Sequence, residues 1–168
     1  MSLLDDAATA WREGRLLDAR AAYGAALQAD PASWAAAFQL AWLDSAFGGP
    51  TRAQVQALER DDLSPSARGL VDALADMARQ PTSLPGRIED WDIDALLRQG
   101  STEHYGSWWE SRGKTAAGVG LYGLALACFE EAERREPGGA FWDPPAWSHS
   151  LPAQVESHLA LVAHPFAG

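Results

Sequence analysis

Four histidines, one cysteine and two glycine-bearing motifs are the residues of this chain whose types and spacing could do chemistry. His104, His149, His158 and His164 follow no metal-ligand spacing, and His158 and His164, six apart, fall on different faces of a helix. They are read as surface residues. Cys128 stands beside Phe129 in a stretch of helical periodicity with no base near it in sequence, so a buried thiol packing as a small hydrophobe is expected. Gly118-Val119-Gly120-Leu121-Tyr122-Gly123 fits G-x-G-x-x-G. A dinucleotide site needs a strand directly before such a loop, and Gly113 to Ala117 has no strand character. Gly113-Lys114-Thr115 resembles the end of a phosphate-binding loop, but Trp108 stands where its first glycine belongs. Both motifs are read as turn and crossing residues of paired helices, and carboxylates such as Glu130, Glu131, Asp61 and Asp62 as solvation and end-capping. No catalytic, cofactor-binding or metal-binding set is expected.

The elements that carry these residues are predicted to be helices throughout. The chain has 168 residues, 47% of them hydrophobic and 21% charged, which suits one globular domain. Ile88 and Ile93 are the only isoleucines, whereas alanine, leucine, arginine and glutamine abound. Apolar residues recur at three- and four-residue spacing. Helices are predicted over Leu3–Glu13, Leu16–Ala29, Ala32–Ala46, Arg52–Arg60, Ser64–Arg79, Asp92–Gln99, Thr102–Ala117 and Gly120–Arg135. A last capping helix over 151–163 has Ser150 as its cap. Gly14, Asp30-Pro31, Gly48-Gly49-Pro50, Gly100 and Pro137-Gly138-Gly139 are the stops, with Pro81–Gly86 a loop.

Bulk charge narrows the partners. A net charge of −10 repels phosphate backbones, so nucleic acid is not an expected partner. With a single cysteine, no intramolecular disulfide forms. The start Met1-Ser2-Leu3-Leu4-Asp5-Asp6 lacks a secretion signal's basic and apolar regions, and no apolar run approaches the ~20 residues of a membrane span. A cytoplasmic protein with no membrane partner is expected.

Two stretches repeat one pattern at an offset of 106 positions. The first has Ala7, Ala10, Gly14, Ala19, Tyr23, Ala26 and Pro31; the second has Gly113, Ala116, Gly120, Ala125, Phe129, Ala132 and Pro137. Small residues at the crossing points let antiparallel helices approach, glycine serves the turn, an aromatic fills the next interface and proline ends the unit. This spacing resembles the tetratricopeptide repeat, whose period is ~34 residues, over about 3–31 and 109–137, where Trp109 and Gly113 also match the first helix. Three such periods nearly span the offset, so two degenerate units, helices three and four and then five and six, are expected between the clear ones. The resemblance implies an all-α fold of about eight or nine helices, antiparallel hairpins stacked as a right-handed array over the single domain 1–168.

The resemblance also implies a function. First helices of successive repeats line a groove that grips peptides, here Leu4, Ala8 and Trp11, then Ala35, Phe38, Trp42 and Ser45, then Ser107, Glu110, Lys114 and Ala117. Leu4, Trp11, Phe38, Trp42, Glu110 and Lys114 are the expected peptide-binding residues. Leu4, Ala8, Phe38 and Trp42 stand where a lysine and asparagine clamp would hold a terminal carboxylate, so an apolar peptide or amphipathic helix fits better. Trp11 and Trp42 could equally pack in the core. The Pro/Trp-rich segment 138–150, with Phe141 to Trp147 too stiff for a helix, is expected to lie over the array. Alternatives are a ligand pocket under Phe141–Trp147, with His149 or Asp143 inward, and a structural homo-oligomer.

Overall fold

Serine, threonine and proline start most of the helices, as their side chains and fixed φ favour. The computed structural model describes residues 2–80, 88–99, 105–138 and 144–167, without the side chains of 88, 89 and 144–149. Among these residues are nine α-helices: α1 (Leu3–Arg12), α2 (Leu16–Ala29), α3 (Trp34–Ser45), α4 (Arg52–Gln56), α5 (Pro65–Arg79), α6 (Ile93–Gln99), α7 (Gly106–Gly118), α8 (Tyr122–Arg135) and α9 (Pro144–Ala163). A 3-10 turn over Ile88–Trp91 leads into α6. The class is all-α, and none of the described helices is long and apolar enough to cross a membrane.

Capping sets several boundaries. Ser2 with Asp5 and Thr51 with Gln54 form capping boxes, while Ser33 and Ser64 cap α3 and α5. The helix expected over Arg52–Arg60 ends at Gln56 instead. There the chain tightens into turns, and the freed Leu58 carbonyl accepts the Trp34 indole N–H at 3.0 Å. The larger departure is α9. Pro144 and Pro145 open it rather than block it, because the first turn of a helix needs no backbone N–H. The boundary expected near residue 150 therefore lies at 144. The loop Pro81–Gly86 and residues Phe141 to Asp143 lie outside the described residues.

The two repeated stretches fold alike and share the hydrogen bonds at their turn glycines. Gly14 and Gly120 both take positive φ, +75° and +81°. Around them Gly14 N–H donates to Trp11 O and Arg15 N–H to Ala10 O, while Gly120 N–H donates to Ala117 O and Leu121 N–H to Ala116 O. Asp30 and Glu136 end the second helices with nearly the same dihedrals, φ −137° and −136°. The aromatic slot explains the small residue facing it: a Cβ on Gly113 would lie 2.8 Å from the Phe129 ring. Cys128 is fully buried beside it, and burial pushes its thiol up to about 12.

The hairpins are not separated by two degenerate units, as the repeat period suggests. They are immediate neighbours, with α8 packed on α1. The contact is intimate because Gly123, in the first turn of α8, sits on the backbone at the end of α1, and Gly14 sits on Leu124 and Ala127. On the other side α2 packs on α3, which meets α4, α5 and α9. One apolar cluster joins the two hairpins with Leu96, Leu151 and Val155; a second gathers Trp34, Phe38, Trp42, Val71, Leu74 and Val162.

Neither α2 nor α8 has a side-chain cap of its own. For α2 the cap comes from elsewhere in the chain. Asp92, 4% exposed, accepts the Leu17 N–H at 2.9 Å through Oδ2 and the Asp94 N–H at 2.9 Å through Oδ1. One carboxylate thus closes two helix N-termini, and Ile93 N–H donates to Gly14 O alongside. Asp92→Ala is expected to lower stability by about 2 kcal/mol, the sum of two caps, and Asp92→Asn by roughly half as much. Urea unfolding of the two variants checks this; equal losses would mean that the second bond contributes nothing.

Candidate binding face

The face expected to receive a peptide is built by α1 and α3. Helical spacing puts Leu4, Ala8 and Trp11 in one row on α1, and Ala35, Phe38, Trp42 and Ser45 in a second on α3. Trp11 and Phe38 are fully buried, and Trp42 and Ser45 nearly so. What buries them is the chain itself. The His158 ring on α9 stacks on Trp11 with centroids 4.8 Å apart, and tilts against Trp42 at 5.6 Å and Phe38 at 5.9 Å. The open aromatic groove is therefore corrected: α9 lies across Trp11, Phe38 and Trp42.

Helix α9 packs most extensively on α8, and on α3 and α5 as well, through a single stripe. Leu151, Val155, His158 and Val162 are buried, at helical spacing of four, three and four, while Pro152, Gln154, Glu156, Ser157 and Ala160 remain exposed. At the rim, the Arg12 Nε donates to Glu156 at 2.8 Å and its Nη2 at 3.2 Å, which lowers the Glu156 carboxyl below its usual range and raises Arg12. Beyond α9 the tail continues the attachment. Ser64 N–H donates to Pro165 O, Ala167 N–H to Asp62 O, and Phe166 packs edge-on to Trp34 beneath the Arg60 guanidinium.

Under α9 the contact is not purely apolar. His158 Nε2 lies 2.6 Å from Gln39 Oε1, and Gln39 Nε2 donates weakly, at 3.4 Å, to the Tyr23 hydroxyl. Burial pushes His158 down to about 4, so the ring is neutral at pH 7. Trp11 Nε1 is buried with no hydrogen-bond acceptor among the described residues. Trp42 uses its indole N–H elsewhere, donating at 3.4 Å to Gly120 O in the turn of the second hairpin. His158 overturns the expectation of surface histidines. Its place on the stripe of Leu151, Val155 and Val162 was the signal in the sequence. Asp92, Glu110 and Glu131 likewise depart from the reading of carboxylates as surface groups, since all three are buried.

The remaining expected residues are dispersed. Leu4 is 36% exposed and lines a hollow of about 380 Å³ with Ala8, Tyr23, Ala35, Leu159 and Ala163, beside α9. Glu110 and Lys114 pair with each other at 2.6 Å, one turn apart on α7, with the carboxylate buried and the ammonium exposed. Gly118–Gly123 is the end of α7, a turn and the start of α8, so a helix precedes the turn where a dinucleotide site has a strand. The pocket expected beneath Phe141–Trp147, with Asp143 and the His149 side chain, lies outside the described residues, as does His104. No family model, curated protein or solved structure matches this chain.

Proposed function

We propose that this chain is a non-catalytic interaction module of the tetratricopeptide type, which grips an amphipathic helix of a protein partner on the face carrying Trp11, Phe38 and Trp42. One observation carries the reading: that face already accommodates a helix, α9, through side chains at helix-in-groove spacing and a charged contact at the rim. Leu4, Ala8 and Ala35 extend the same face beyond α9 and are reachable from solvent. Glu110 and Lys114 on α7 take no direct part in this arrangement. A cytoplasmic setting belongs to the proposal, as does a protein partner in place of nucleic acid or membrane, given the charge of −10.

The test is site-resolved photo-crosslinking in the native cell. A photoreactive amino acid at Ala8 or Ala35 is expected to trap one protein in common, and the same group at exposed Ala25 on α2 to trap none of it. A partner trapped at Ala25 but not at Ala8 or Ala35 would move the binding surface elsewhere and end the proposal. Trp11→Ala and Trp42→Ala are unsuited to this purpose, since both side chains support the core.

A further inference from the structure

Helix α9 does not fill its seat. The hollow of about 380 Å³ beside it is walled by Leu4, Ala8, Tyr23 and Ala35 of the scaffold and by Leu159 and Ala163 of α9, with Ser2, Asp5 and Arg12 adding polar groups to its lining. Ala163, exposed at the end of the helix, lines that hollow with a single methyl group, and Leu4, Ala8 and Ala35 give the scaffold's part of it its apolar surface. The seat also leaves Trp11 Nε1 without an acceptor among the described residues and holds a neutral histidine. Pro152 removes one backbone donor from the helix that occupies it. The scaffold hairpins also meet directly, at Gly123, Gly14 and Asp92, besides sharing an apolar cluster with Leu151 and Val155 of α9. Resting on the function proposed above, we infer that α9 is a resident, replaceable occupant. The partner is then an amphipathic helix with the stripe of Leu151, Val155, His158 and Val162, a carboxylate at the Glu156 position for Arg12, and a bulky apolar side chain at the Ala163 position.

The bulky side chain is the selective element. A tethered α9 competes at an effective concentration of order mM, so a helix that merely copies it gains little. A phenylalanine at the Ala163 position buries its ring in the hollow, which corresponds to about tenfold or more in Kd. The carboxylate adds orientation rather than much affinity, because Arg12 and Glu156 are both substantially exposed.

The experiment uses the full chain and two labelled synthetic peptides spanning 150–167, one with the native sequence and one carrying Ala163→Phe. Binding is read by fluorescence anisotropy and the state of α9 by hydrogen exchange at its Val155–Val162 amides. Both peptides are also titrated onto the chain with Val155→Asp, whose buried carboxylate loosens α9. If circular dichroism shows that this variant loses the scaffold too, Leu159→Asp replaces it. The Ala163→Phe peptide is expected to bind the loosened chain about tenfold tighter than the native peptide, and to strip exchange protection from α9 in the unaltered chain. Equal affinities for the two peptides overturn the inference and leave the binding face intact. Binding to the loosened chain with α9 undisturbed in the unaltered one, even at mM peptide, shows α9 to be a fixed part of the fold and also overturns it. Failure of both peptides on the loosened chain removes the proposed function itself.

Discussion

Gly123→Ala is expected to destabilise the protein more than any other single methyl addition to the scaffold. A Cβ there would stand 1.9 Å from the Trp11 carbonyl oxygen and 2.9 Å from its carbon. Those are backbone atoms at the end of α1, and no rotamer change can move them aside. The two hairpins must separate, opening the α8–α1 contact on which Leu16, Leu124 and Ala125 are also buried. Overpacking of this kind costs about 3 kcal/mol or more, a large part of a typical domain's margin, and lowers Tm by about 6–12 °C. Gly24→Ala is the internal control. Gly24 lies within α2, and none of the described residues stands within 4 Å of its missing Cβ. Alanine there removes a helix-interior glycine and should raise stability by up to about 1 kcal/mol. Paired thermal melts decide the matter: equal effects for Gly123→Ala and Gly24→Ala would mean that the hairpins are not docked as described.

The same glycine marks where sequence reasoning runs out. Each hairpin is legible because its determinants are local: a turn glycine, small residues one turn apart, and a proline stop all lie within about thirty residues of one another. Which hairpin neighbours which is a long-range matter. The repeat period points to two intervening units, whereas the chain brings its second clear hairpin directly against its first. The cue is a departure from the repeat, since Gly123 stands where the first hairpin has Leu17. Glycine where the chain needs no turn commonly marks close backbone approach, and here, in the first turn of α8, it marks the crossing of α8 and α1. The dual cap at Asp92 is half legible: aspartate before a helix announces one cap, but nothing local announces that its other oxygen serves α2.

The aromatic face is legible in its membership and not in its state. The resemblance to the repeat puts Trp11 of α1 on one face with Phe38 and Trp42 of α3, and they do meet around one ring. That the ring belongs to His158 is obscured when each histidine is weighed only as a ligand or a surface group. Prolines at the start of a segment read as barriers to a helix, although they suit its first turn, and this shortens the helix that covers the face. Analogy with repeat positions assigns Glu110 and Lys114 to the face. The altered stacking order leaves them paired with each other on α7.

Acid should loosen α9 before it unfolds the hairpins, and His158 should set the window. Its folded-state value is depressed from 6.5 to about 4 because burial disfavours the charged ring. Above pH 6.5 the ring is neutral in folded and unfolded chains alike, and its contribution is fully present. Between 6.5 and 4 the unfolded chain takes up a proton that the folded chain resists, so stability falls as pH falls. Below about 4 the folded ring is protonated too, and the loss levels off at about 3 kcal/mol. The charged and titratable groups near that ring give it little help. Arg12 repels an imidazolium, Glu156 is held at the rim by Arg12, and Tyr23 reaches the ring only through Gln39. His158→Gln keeps an amide for Gln39 and removes the titration. Urea unfolding of both chains from about pH 7 to about pH 4 isolates the effect, because the acidic side chains titrate in both. The variant should be the less stable at neutral pH, having lost the ring stacked on Trp11. Its deficit should shrink by about 3 kcal/mol toward the acid end of that range. Parallel curves would show that His158 is reachable by water and that α9 does not seal the aromatic face.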